Sequence, residues 1–123
     1  MSELNDSSVA PVSVTVTTDG NGVVSIHCKP DPVNVGTCNT LIGFSLDTPG
    51  YRFRTVKTIE LDQPNDDFPY PSWTVTPTLA TLLDLCNQVD VFKYTVYVID
   101  IATGIEYSVD PEIKNGDANG CDD

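Results

Sequence analysis

The chemistry open to this chain is bounded by its scarcest residue types: one histidine, His27, one methionine, Met1, and four cysteines, Cys28, Cys38, Cys86 and Cys121. A type 1 copper centre needs two imidazoles beside its cysteine and usually an axial methionine, so composition excludes it. Structural zinc needs ligands that arrive in close pairs; Cys28 and Cys38 are too widely spaced for that, and no C-x-x-C occurs. For nucleophilic catalysis the only available base is His27, and it is the chain neighbour of Cys28. Neighbours on a strand point to opposite faces, so the two cannot cooperate there. Asn115-Gly-Asp117-Ala-Asn119-Gly120 imitates the opening of an EF-hand loop, without flanking helices or the distal bidentate glutamate. No catalytic residue, metal or other cofactor is therefore expected.

Charge narrows the partners. Six Lys and Arg stand against 18 Asp and Glu, a formal net charge of −12. Nucleic acids and anionic bilayers are bound chiefly by cationic side chains, so neither is an expected partner, and the acid serves solubility. The best lead is instead Phe68-Pro69-Tyr70-Pro71-Ser72-Trp73, where aromatic residues sit in a proline-stiffened segment. Rigid aromatic surface contributes contact area at little entropic cost, which suits an interaction site. The competing expectation is that Phe68, Tyr70 and Trp73 fold down to plug one end of the domain. Arg52 and Arg54 complete the candidate interaction residues. A non-enzymatic protein-interaction or assembly module is expected, with a protein partner or self-association through a strand edge. The alternative is a small-ligand-binding protein or enzyme with a pocket near residues 68–73.

The elements that must position these residues are read from period-two patterning. Val91 to Asp100 is the longest β-prone run, with Phe92, Tyr94, Val96 and Val98 on one face and Val91, Tyr97 and Ile99 on the other. It is expected to be a central strand, mostly buried on both sides and paired in a hairpin through Thr103-Gly104. Val12, Val14 and Val16 mark a half-buried strand joined to the run Val23–Cys28 through Asp19-Gly-Asn-Gly, a turn tolerant of positive φ. His27 falls on the wet face of that second strand. Two prolines take residues 29–36 out of any sheet. Leu41–Leu46 is a third strand and Tyr51–Leu61 a fourth, in which the apolar parity slips near Thr55–Thr58 and predicts a bulge or a strand that changes sheets there. Asp62–Ser72 is a surface loop leading to a short strand at Trp73. Leu79, Leu82, Leu83 and Cys86 lie at helical spacing after Pro77, so one short helix near residues 78–87 is preferred over a strand.

About seven short strands separated by turns amount to an all-β, Greek-key β-sandwich. Residues 1–10 are expected as a disordered lead-in, 11–114 as the domain and 115–123 as a flexible acidic tail. The first residues carry neither a basic nor a long apolar segment, and no apolar run approaches the ~18 residues of a membrane span. Four free thiols in a reducing cytoplasm are the corresponding expectation.

Asp90-Val-Phe-Lys-Tyr94-Thr-Val96 resembles the corner of immunoglobulin-like domains, in which an acid four residues before a tyrosine opens the strand. The resemblance implies structural roles for Asp90 and Tyr94, with the Tyr94 hydroxyl bonded to backbone between Cys86 and Asp90; Tyr94→Phe would then cost about 1 kcal/mol. Val96 stands where an immunoglobulin domain has its second cysteine, so the likeness concerns architecture alone. Asp31-Pro32 and Asp110-Pro111-Glu112 resemble the small bacterial proteins of the DP-EP family, which implies no activity.

Overall fold

The structure, a computed structural model, describes residues 8–116. Their eleven strands are β1 (Ser8–Thr18), β2 (Val24–Lys29), β3 (Val33–Val35), β4 (Thr40–Leu46), β5 (Tyr51–Phe53), β6 (Ile59–Leu61), β7 (Trp73–Thr76), β8 (Leu79–Asp84), β9 (Asp90–Asp100), β10 (Glu106–Val109) and β11 (Glu112–Asn115). No helix forms among them. One sheet has the order β2-β1-β4-β8-β7; the other runs β10-β9-β11-β3, with β5 and β6 also paired to β9. The two sheets bury a shared apolar core, crossed by an edge-to-face contact between Phe44 of β4 and Tyr94 of β9 at 5.7 Å. The all-β sandwich is as expected, with more and shorter strands than the turn signals suggested.

β9 is the hub of its sheet. β10 and β11 lie along one of its edges and β5 and β6 along the other, all antiparallel. Phe92, Tyr94, Val96 and Val98 are buried, but the opposite face is not: Val91 is 48% exposed, and Tyr97 and Ile99 are only half-covered. The expectation of burial on both sides is corrected, because among the described residues no second layer packs outside this sheet. Arg54 lies over the Tyr97 ring there instead, 3.5 Å from its centroid.

The β1–β2 turn forms as its residues dictate. Asp19 Oδ1 accepts from the amides of Asn21 (2.8 Å) and Val23 (2.9 Å), and Gly22 adopts φ 81°. The parity slip after Tyr51 has a physical cause: Arg54–Thr58 loops out between β5 and β6, which then return to the same edge of β9, with Lys57 at φ 55°.

Three expectations are corrected. Residues 78–87 are not helical. Pro77 and Thr78 turn a β7–β8 hairpin, Ala80 and Leu82 point into the core, and β8 is bonded on both sides, to β4 and β7. Leu79 and Leu83 mimicked helical spacing because they occupy the outer face of the same strand. Residues 29–36 do not all leave the sheets: past the cis peptides before Pro30 and Pro32, Val33–Val35 pairs in parallel with β11. At the ends of the domain, Ser8–Ala10 belong to β1, and Asn115 is a buried strand residue; residues 117–123, with Cys121 and the rest of the EF-hand-like segment, lie outside the described residues. No helix of the described chain is long and apolar enough to cross a membrane.

Candidate functional site

The segment 62–72 carries the chain from β6 in one sheet to β7 in the other. Asn65 shapes its first half: its Oδ1 accepts from the Asp67 amide at 2.8 Å and its carbonyl from the Phe68 amide at 3.0 Å. That turn drives Asp67 into the interior and sets Phe68 edge-on against Phe92, with ring centroids 5.0 Å apart. The flanking prolines then hold Tyr70 outward, 65% exposed, until Ser72 Oγ accepts from the Ile59 amide at 3.1 Å. Trp73 follows at the start of edge strand β7, 69% exposed. The two expectations for the aromatic cluster therefore divide: Phe68 is a plug, whereas Tyr70 and Trp73 are surface.

Between this segment and β6 lies a cleft of about 590 Å³. Its apolar lining includes Ile59, Leu61, Phe68 and Leu82; Ile59 and Leu82 are core residues, so the opening reaches between the sheets. Lys57, Glu60 and Asp66 supply a charged rim of mixed sign, and Tyr70 stands at the wall. Trp73 does not line it.

One edge of β6 borders the cleft without a strand beside it among the described residues. On the other edge, Thr58 O accepts from the Tyr97 amide (3.0 Å) and the Asp62 amide donates to Lys93 O (2.9 Å). Antiparallel alternation then turns the backbone groups of Ile59 and Leu61 away from β9. Ser72 engages the Ile59 amide, and the Leu61 N–H and C=O form the open part of the edge.

Arg54, an interaction candidate, is committed within the fold. Its guanidinium donates to the carbonyls of Val56 and Lys57 at 2.9 Å each and pairs with Glu60 and Glu106, both at 3.3 Å. It fixes the 54–58 excursion beside the cleft, and its own carbonyl accepts from the Thr58 and Thr74 hydroxyls. Arg52 is half-buried and donates to Phe53 O at 3.3 Å.

The corner at Tyr94 differs from the expectation. The ring is fully buried, but its hydroxyl has no hydrogen-bond partner, and the titratable groups it interacts with are Cys28 and Asp31, not the 86–90 connection. Burial pushes the phenol well above its ordinary pKa. Asp90 is exposed and accepts only from the next amide, Val91, at 2.8 Å.

The cysteines also depart from expectation: Cys38 is disulfide-bonded, while Cys28 and Cys86 are free thiols. Half-covered in the turn before β4, Cys38 is accessible to a partner as a core thiol is not. Burial pushes the Cys28 thiol up to about 12 and the Cys86 thiol up to about 11, and nearby carboxylates reinforce both shifts. Both remain protonated at neutral pH and are poor nucleophiles. His27 is exposed, its Nε2 2.9 Å from Thr17 Oγ1. Among the described residues no group of three or more His, Cys, Asp and Glu side chains is arranged to hold a metal ion.

Sequence reasoning missed a buried polar node formed by Asp67, Asp84 and Asn115. Its one sequence signal is Asp84 itself, which shares the inward parity of Ala80 and Leu82 on β8. No family model matches the chain, and no curated protein is recognisably similar to it.

Proposed function

We propose that this protein is a non-enzymatic interaction module whose cleft takes an extended segment of a protein partner. The observation that carries this is the coincidence of an unpaired strand edge at Leu61 with an apolar opening that reaches Leu82. An extended segment laid along β6 would bond to the Leu61 backbone while an apolar side chain enters between the sheets. Strand addition of this kind draws affinity from main-chain bonds and specificity from alternate side-chain pockets. The mixed-sign rim suits a polypeptide, whereas the net charge of −12 opposes nucleic acid and anionic membrane. A disulfide at Cys38 favours an oxidising location over the cytoplasm.

The test is selection of a displayed peptide library on the parent protein, followed by binding of the enriched peptides to Leu61→Arg. Enriched sequences should alternate apolar and polar residues, and the variant should bind them at least ~10-fold more weakly while unfolding at the parent's midpoint. Equal binding to both proteins would reject the cleft as the site. A second reading, a small apolar ligand in place of the peptide, draws on the cleft volume, which falls within the ~300–1,000 Å³ usual for small-molecule pockets. Fragment binding that shifts the Leu82 and Phe68 resonances, with no peptide enriched, would select it.

A further inference from the structure

Three polar side chains are buried where the two sheets meet the 62–72 segment: Asp84 ends β8, Asn115 ends β11, and Asp67 lies within the segment itself, none more than 1% exposed. Asn115 Nδ2 donates to Asp67 Oδ2 at 3.1 Å and to Asp84 Oδ1 at 3.0 Å. Asp67 also anchors the connection from β8 to β9, accepting from the amides of Asn87 (3.1 Å) and Gln88 (3.2 Å) with its carboxylate and from Leu85 (2.8 Å) with its carbonyl. Asp84 Oδ1 further accepts from the Cys86 amide at 2.9 Å.

Two atoms of the node, Asp84 Oδ2 and Asn115 Oδ1, have no partner. No cation meets either carboxylate, since both ion pairs among the described residues belong to Arg54. The titratable groups facing Asp84 are Asp67 from the 62–72 segment and the Cys86 thiol just past β8; β4 places Thr40 opposite it, and β11 supplies the neutral Asn115. Two buried anions that share one amide donor oppose each other. A single proton on Asp84 Oδ2 removes one charge and supplies a donor, and the acceptor in the node still lacking one is Asn115 Oδ1.

We propose that the Asp67–Asn115–Asp84 node is a proton-operated latch on the cleft: closed while Asp84 is a neutral acid donating to Asn115, and loosened, freeing the 62–72 wall, when that proton leaves. Its link to binding rests on the cleft reading above; the latch itself does not. Burial holds the Asp84 carboxyl up at about 6, with the Asp67 charge reinforcing the shift against the bonds from Asn115 and Cys86. The closed state therefore binds the proton more tightly than the open one. Closure is favoured most below the ordinary carboxylate pKa and is weakened as pH rises toward 6.

Hydrogen exchange at the Asn87 and Gln88 amides, measured without ligand and corrected for intrinsic exchange, reads the latch directly. In the parent, protection should fall by up to about tenfold per pH unit from about pH 4 to pH 6 and then level off. Asp84→Asn places an N–H where the acid proton sat, and its profile should be flat. A flat parent profile would overturn the proposal, as would an Asp84 carboxyl-carbon resonance that titrates at the ordinary carboxylate value, a measurement that needs no variant. Neither result bears on whether Leu61→Arg loses peptide binding, so the two readings fail separately.

Discussion

A buried hydroxyl with no partner is a cost, so Tyr94 is a residue whose polar atom the fold would be better without. Tyr94→Phe keeps the ring and its edge-on contact with Phe44 and should leave denaturant unfolding within about 0.5 kcal/mol of the parent or raise it. The corner motif pointed to a stabilising bond instead. Period two placed Tyr94 correctly in the core, but the partner of a side-chain atom depends on which loop lies above the ring, and alternation carries no such information. At Arg54 the balance is reversed. Arg54→Lys keeps the charge and loses the planar fork that spans two carbonyls, two carboxylates and the Tyr97 face, which should cost about 1–2 kcal/mol in the same assay. Asp84 brings a pH dependence with a definite sign. Because its folded carboxyl is held near 6 against an ordinary 3.8, ionisation above that value removes stability, of order 2–3 kcal/mol between about pH 4 and 6. Asp84→Asn should flatten that limb of the unfolding profile.

At the level of elements, what was legible was whatever declares itself locally. Val12, Val14 and Val16 alternate cleanly, the Asp19 turn carries its own hydrogen-bonding residues, and the parity slip after Tyr51 located the 54–58 excursion. β8 was not legible in this way. Its two faces are both apolar, one because it is core and the other because Leu79 and Leu83 remain partly exposed, and a strand apolar on both sides offers no periodicity to separate it from a helix. β3 and β11 were hidden for another reason: each is short, β3 pairs in parallel with β11, distant in the chain, and β11 is held between β3 and β9. The cleft was legible as a place, since the proline-aromatic run marked it, but the division between half-buried Phe68 and exposed Tyr70 came from the turn at Asn65. Strand β8 has a direct test. It is bonded on both edges, so Thr81→Pro removes a ladder donor and should cost at least about 1–3 kcal/mol.

On the scale of the whole molecule, the disulfide at Cys38 predicts that denatured, unreduced protein shows fewer than four reactive thiols. Four would place every cysteine in the reduced state and remove the argument for an oxidising location. The arrangement around β9 bears on how the molecule is made. Its sheet joins β3 to β11 in parallel and clamps β9 between segments that come before and after it in the chain. During synthesis, β3, β5 and β6 emerge well before β11, which follows closely on β9 and β10, and until β11 arrives one edge of the hub is incomplete and β3 lacks the strand it pairs with. Such distant pairings are slow to close because a long loop must be ordered before any contact rewards it. The sheet around β9 should therefore close only after β11 has left the ribosome. Until then the exposed hub edge is the part of the molecule most in need of a chaperone.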